Sequence, residues 1–409
     1  MISLKKAYNY SFILVSLFPL MGLKLTGLII GLWGILSVIV IFKEKTFKKV
    51  AKKDIINIII FSTLYLFYIS NYLITLDIIL IKKLETCLSF LIFPLFIIVN
   101  KSCISKTTLD YALKGFFISN IILALITWVK IFQRGFFKML NENNYYQPIF
   151  RNIFSDTTSI HLPYLGLFFV FSIFIGIYLI QKEYKENTYL IKITLIFLCI
   201  ILFISILFFS ARMALLSFII SFVYWSYRTI KNKLRLGGVF FGFITFSLLI
   251  VFLTPMKDRI SESLITKLEL PSKKMNDNSM TVNFRYAIYH CSLNIIKNNW
   301  LFGIGKNNVQ KELNSCYDSF TYKNHDDFTQ KTYNSHNQYF DLLMAYGILG
   351  LIILTITFFW GYHVNNEVLY NVLLILIFLA LLTENIFDRQ LGVVIFAFFN
   401  TLFFINKRK

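Results

Sequence analysis

Apolar residues in this chain come in long runs separated by short charged clusters, and they do not alternate with polar residues as the wall of a membrane barrel would. The runs lie near residues 8 to 23, 25 to 42, 55 to 73, 84 to 99, 112 to 132, 161 to 180, 190 to 209, 211 to 227, 236 to 254, 337 to 360, 367 to 383 and 390 to 405. A helix needs about twenty apolar residues to cross a hydrocarbon core, so the pattern predicts an all-α, polytopic membrane protein with about twelve transmembrane helices. One division is set by a single residue. Between Lys192 and Arg228 the only full charge is Arg212, and a run too long for one crossing is expected to turn as a tight hairpin at Ser210 and Ala211.

The charged clusters give this reading a direction. With the N-terminus inside, the clusters at 43 to 54, 100 to 106, 181 to 185 and 227 to 235 and the C-terminal basic end all fall on the cytoplasmic side, as the positive-inside tendency requires. The same count puts the segment 133 to 160, the turn at Arg212 and a large loop on the opposite, periplasmic side. The organisation expected is one integral membrane domain: helices 1 to 9 over residues 1–254, the periplasmic loop over 255–336 and helices 10 to 12 over 337–409. Within the loop, Phe284, Ile288, Cys291 and Ile295 recur at helical spacing and predict an amphipathic helix.

Composition agrees: 57% of the 409 residues are hydrophobic, 45 are Phe and 15% are charged, which is too apolar for a surface in water. The excess of 41 Lys and Arg over 21 Asp and Glu sits between apolar runs, where it meets anionic membrane lipid, and no nucleic-acid partner is implied. The first apolar run leads through Met21, Gly22, Leu23 and Lys24 into a second span with no A-x-A site, so no cleaved signal peptide is expected. Cys291 and Cys316 share the loop and can pair in an oxidising compartment, but two free thiols are the default expectation.

Signatures of nucleotide binding, zinc hydrolysis and the serine nucleophile elbow are absent, so neither cofactor nor metal is expected. His325, Asp326 and Asp327 are adjacent in a polar loop and read as solvated residues. Arg212 stands at or near membrane depth, where a charge is costly unless paired or hydrated, so function and interfacial snorkelling weigh evenly. Arg285 alone reads as a solvated cation. At Ser335, His336 and Asn337 a polar step opens a long apolar helix, with Ser335 or Asn337 able to cap its start and Gly347 and Gly350 forming a flat face for helix contact.

His336 and Asn337 followed by Gly347 and Gly350, at the end of a large loop, resemble the hallmark of the bacterial O-antigen ligase and polymerase superfamily. Ser210-Ala211-Arg212 is similar to that family's Ser-x-Arg. Arg285 followed by Trp300, Leu301, Phe302, Gly303, Ile304 and Gly305 is similar to its arginine helix and G-x-G, and residues 88 to 95 and 383 to 392 resemble weaker segments. The resemblance implies a glycosyltransferase of the inner membrane, facing the periplasm, that takes a glycan from undecaprenyl diphosphate to an acceptor such as lipid A-core. His336 would be the general base, because an imidazole exchanges a proton near neutral pH. Arg212 and Arg285 would hold the diphosphate and stabilise the charge that grows on it, with direct displacement inverting the anomeric centre.

Asn337, Asp388 and Arg389 are tentative additions to this site, the last two being equally readable as an interfacial ion pair. Tyr145, Tyr146, Phe150, Arg151 and His161 have weaker claims to touch lipid or sugar. An O-antigen polymerase or a protein O-oligosaccharyltransferase would use the same donor. A lipid-linked sugar transporter ranks below transfer, because the halves of the chain are unequal and buried charges are few.

Overall fold

The computed structural model describes residues 3–142, 147–182, 189–252, 257, 260, 261, 268–270, 280–320 and 332–406, and all regular structure among them is helical. The N-terminal half comprises α1 (Leu4–Ser16), α2 (Phe18–Lys43), α3 (Lys52–Phe61), α4 (Thr63–Thr75), α5 (Ile78–Cys87), α6 (Ser89–Val99), α7 (Lys106–Gln133), α8 (Phe136–Glu142) and α9 (Gln147–Thr158). There follow α10 (Leu162–Lys182), α11 (Tyr189–Phe208), α12 (Arg212–Thr229), α13 (Lys233–Phe252), α14 (Met280–Asn299), α15 (Lys306–Asp318), α16 (Gln338–Val364), α17 (Val368–Leu381) and α18 (Gln390–Asn406).

Among the described residues the apolar runs are helical, some of them broken in the middle, and five helices (α2, α7, α10, α11 and α16) are long and apolar enough to cross a membrane unaided. The pair α3 and α4 makes a sixth candidate, bent by 64° at Ser62, and α17 and α18 are shorter apolar helices. The polar turn expected at Ser210 is present: α11 stops at Phe208, Ser210 adopts φ +54°, and Arg212 opens α12.

Two helices are apolar all round and form the centre. α10 is buried on almost every residue and packs on α7, α11, α12 and α17, while α18, buried from Leu391 to Ile405, packs on α6. Phenylalanines fill the space between helices in tilted and edge-to-face pairs, such as Phe116 with Phe399 at 4.9 Å and Phe93 with Phe398 at 5.3 Å. On α2, by contrast, Leu28, Leu32 and Ile35 form an outward stripe about 60% exposed, a face suited to hydrocarbon and not to water.

The loop meets the bundle through its backbone. α16 bends at Gly347, which has φ +61°, and the bend frees main-chain groups that a straight helix would satisfy. Residues 300 to 305 take them up: the amides of Ile304 and Gly305 donate to the carbonyls of Met344 and Ala345 at 2.8 and 3.0 Å, and the amide of Ile348 donates to Trp300 at 2.8 Å. A Cβ on Gly347 would overlap the Leu301 carbonyl, and one on Gly303 would meet the backbone of Ala345 and Tyr346 at 2.5 Å. Gly347 is therefore a socket for the loop, and the flat helix face expected of it is not what the glycine provides.

The amphipathic loop helix is present as α14, with Ile288, Cys291 and Ile295 buried and Phe284 half-buried. The expectation of two free thiols is corrected: Cys291 and Cys316 form a disulfide, with Cα atoms 5.8 Å apart, because α15 lies back against α14. His325, Asp326 and Asp327 lie outside the described residues, as do Tyr145 and Tyr146.

Unreduced protein should accordingly alkylate at Cys87, Cys103 and Cys199 once denatured, and gain two further adducts after reduction, read by intact mass. Gly347→Ala should cost more than about 2 kcal/mol, from left-handed strain and the displaced loop together, whereas Gly31→Ala, with open space around it, should be neutral. Thermal unfolding of the detergent-solubilised proteins measures both.

Candidate functional site

Three guanidiniums from three separate elements line one small cavity of about 110 Å³: Arg151 from α9, Arg212 from the start of α12 and Arg285 from α14. Glu384, in the turn after α17, adds the carboxylate, and Leu167, Val170 and Leu376 supply apolar wall. Arg151 also fixes the turn that aims Arg212, donating from Nη1 to the carbonyls of Phe209 at 2.8 Å and Ser210 at 3.5 Å. Burial, followed by the nearby charges of Arg212 and Arg285, lowers the proton affinity of Arg151 from its ordinary value, although an arginine stays charged at any working pH. Crowded cations of this kind favour an anion among them.

His336 joins the cavity through Glu384. The carboxylate lies 3.2 Å from Nδ1 of His336 by one oxygen and accepts from Nη2 of Arg285 at 3.2 Å by the other. Burial alone would raise the pKa of Glu384, but the His336 hydrogen bond and the charges of His336, Arg285 and His161 outweigh it and hold the carboxyl below its usual value. An ionised carboxylate at Nδ1 selects the tautomer with the proton there and leaves Nε2 as the acceptor.

The backbone around His336 is tightly specified. His336 adopts φ +44°, a left-handed conformation that costs a side-chain-bearing residue about 1 kcal/mol or more. Its amide donates to Asn334 Oδ1 at 3.1 Å, and the Tyr289 hydroxyl from α14 reaches the carbonyls of His336 and Leu382 at 3.4 and 3.2 Å. Of the two possible caps it is Asn337 that serves, its Oδ1 accepting from the amides of Tyr339 and Phe340 at 3.0 and 3.1 Å. Ser335 instead donates to the Asn337 carbonyl and to Asn385 Oδ1.

Asp388 belongs to a different group. It pairs with Lys83 and lies 3.4 Å from Lys306, whose ammonium is held at 2.6 Å by Asp341. Burial opposes its charge, but the two lysines keep Asp388 well below the ordinary aspartate range. The anticipated Asp388–Arg389 pair is not among the ion pairs of the described residues. Arg389 and His161 line a second cavity of mixed polar and apolar wall, and Phe150 is fully buried against Phe136 and Phe208. Sequence reasoning overlooked Glu384 and gave Arg151 little weight. The signal for Glu384 was an acidic residue at the end of an apolar run in a strongly basic chain; nothing local marked Arg151.

Residues 197–355 match the family described as O-Antigen ligase. That stretch, less than half of the chain, is similar to the family's domain. The match supports a ligase- or polymerase-like function, and the five apolar helices agree with a membrane protein. The matched stretch includes Arg212, Arg285, His336 and the Gly347 socket, and leaves Arg151 and Glu384 outside. No curated protein matches the chain.

Because the pKa of Glu384 is depressed in the folded protein, the stability it contributes is complete above the ordinary glutamate value of 4.5 and is lost as pH falls through the lower folded value. Wild type should unfold at a higher temperature than Glu384→Gln at pH 7, and the two melting curves should converge as the pH is taken below 4.5. A gap that persists unchanged into acid would show that the carboxylate's charge is not what stabilises the turn.

Proposed function

We propose that this protein is an inverting glycosyltransferase that moves a glycan from a lipid diphosphate, undecaprenyl diphosphate being the expected carrier, to an acceptor hydroxyl on the periplasmic face of the inner membrane. The observation that carries the proposal is Glu384, which joins His336 to Arg285 at the wall of the three-arginine cavity. Nε2 of His336 takes the proton of the attacking hydroxyl as its oxygen bonds to the anomeric carbon. The bond from that carbon to the diphosphate oxygen breaks, and the electron pair leaves with the diphosphate. Glu384 stabilises the imidazolium that results, and Arg212, Arg285 and Arg151 meet the charge on the leaving group. The reaction needs no nucleotide, since the donor already carries its leaving group.

Lipid A-core is the acceptor expected, which makes the enzyme an O-antigen ligase; a polymerase would present a second lipid-linked glycan to the same base. In cells lacking the protein, core oligosaccharide devoid of attached polymer supports the ligase, and a single attached repeat supports the polymerase.

Purified protein given the lipid-diphosphate donor and lipid A-core should form product, and His336→Ala should lower kcat by about a hundredfold or more. Arg212→Lys should raise the donor KM about tenfold, a lysine being unable to reproduce a bidentate contact. Transfer undiminished in a folded His336→Ala protein would make the histidine structural, and a product of retained configuration would exclude direct displacement.

A further inference from the structure

A second cavity, of about 290 Å³, is walled by the same two segments as the first. At the start of α10, Leu162 and Pro163 face the three-arginine cavity, while His161 and Tyr164 face this one. In the turn leading into α18, Glu384 faces the first, and Asp388 and Arg389, with Gln390 at the helix start, face the second. The Tyr164 hydroxyl donates to the Asn385 carbonyl at 3.1 Å and fastens the two walls together. Glu384, which holds His336, stands in the wall of the first cavity, and His161, within electrostatic range of both residues, in the wall of the second.

Arg389 gives this cavity its cation, and His161, whose pKa partial burial lowers from its ordinary value, adds a ring N–H donor. Arg389 and His161 are both exposed, and among the described residues neither side chain makes an ion pair or a hydrogen bond. The one carboxylate in the wall, Asp388, is already neutralised by Lys83 and Lys306. Thr86, Ser159 and Gln390 add neutral hydrogen-bonding groups of the kind that suit sugar hydroxyls. An anionic, hydroxylated ligand fits this lining better than a neutral or apolar one.

We propose that this cavity is the acceptor subsite, and that it takes a glycan bearing an anionic substituent, such as a sugar phosphate, with Arg389 and His161 on the anion. The inference rests on the transferase reading, which needs a second substrate on the side of His336 away from the diphosphate. In a transfer the donor occupies the arginine cavity, so an acceptor delivered through the same opening would meet like charge and a filled site. The second cavity gives the acceptor a place of its own beside the segments that also wall the donor cavity.

The test uses the full-length protein in phosphatidylcholine nanodiscs, with a glycolipid carrying a sugar monophosphate and the same glycolipid after phosphatase treatment as acceptors. Wild type should show a KM about tenfold lower for the phosphorylated acceptor, and Arg389→Ala and His161→Asn should each erase most of that preference while leaving the donor KM in place. Arg389→Lys should restore part of it. The proposal is overturned if wild type has no preference, if the variants keep it, or if the donor KM rises in step, which would merge this cavity with the donor site. Loss of the preference when phosphatidylglycerol is added to the nanodisc would assign the cavity to an anionic lipid headgroup instead. Equilibrium binding of the labelled phosphorylated acceptor, without donor, separates the two readings. A protein that transfers nothing but binds the acceptor through Arg389 defeats the transferase reading and retains the anionic-glycan site, whereas equal binding by wild type and Arg389→Ala defeats the site itself.

Discussion

The bend of α16 at Gly347 and its backbone pairing with residues 300 to 305 hold the site together. A helix interrupted in an apolar surrounding exposes amides and carbonyls that must find partners, and a loop interrupted at the same place has the same need. Each satisfies the other, through hydrogen bonds of 2.8, 3.0 and 2.8 Å. The pairing requires the two backbones to approach so closely that neither Gly303 nor Gly347 has room for a side chain. Arg285 sits on the helix that leads into this pairing and His336 just before the helix that contains it, so their separation is set by main-chain geometry. The disulfide from α14 to α15 adds a covalent restraint on the same loop. A site that the sequence places in a long loop is thereby built with the rigidity of the bundle.

Charge is sorted into two neighbouring groups with opposite characters. Around Asp388 the opposite charges match, with two lysines against two aspartates, and the result pins α5, α15, α16 and the turn before α18 together. The wall of the arginine cavity brings three guanidiniums to one carboxylate. A matched buried cluster is a structural device, weak as a source of net stability but specific in what it joins. A wall of several guanidiniums suits an anion. Glu384 stands between these roles: its charge tempers the arginines and at the same time orients the imidazole.

The surrounding helices need little chemical individuality to support this arrangement. Phenylalanine rings packed edge to face fill the centre between α6, α7, α10 and α18, while branched aliphatic residues cover the outer face of α2. At helix ends and breaks Ser62, Ser210, His336 and Gly347 depart from regular helix and leave room for function.

Hydrophobic run length by itself determined the helical class, because a helix satisfies its own backbone in an apolar surrounding, while the breaks within the runs at Leu17, Ser62 and Leu88 were not visible in it. It also exposed the turn at Arg212, since a charge within a long apolar run must mark an end. The succession of Arg212, Arg285 and His336 was legible as a family pattern. Tertiary structure alone decided what these residues face. Glu384 lies 48 positions from His336 and 99 from Arg285 along the chain, and no local spacing announces such a bridge. The pairing of Cys291 with Cys316, the lysine partners of Asp388 and the place of Arg151 in the cavity were hidden for the same reason. Periodicity reports which way a residue points from its own helix, but the groups it meets are fixed by how distant segments pack.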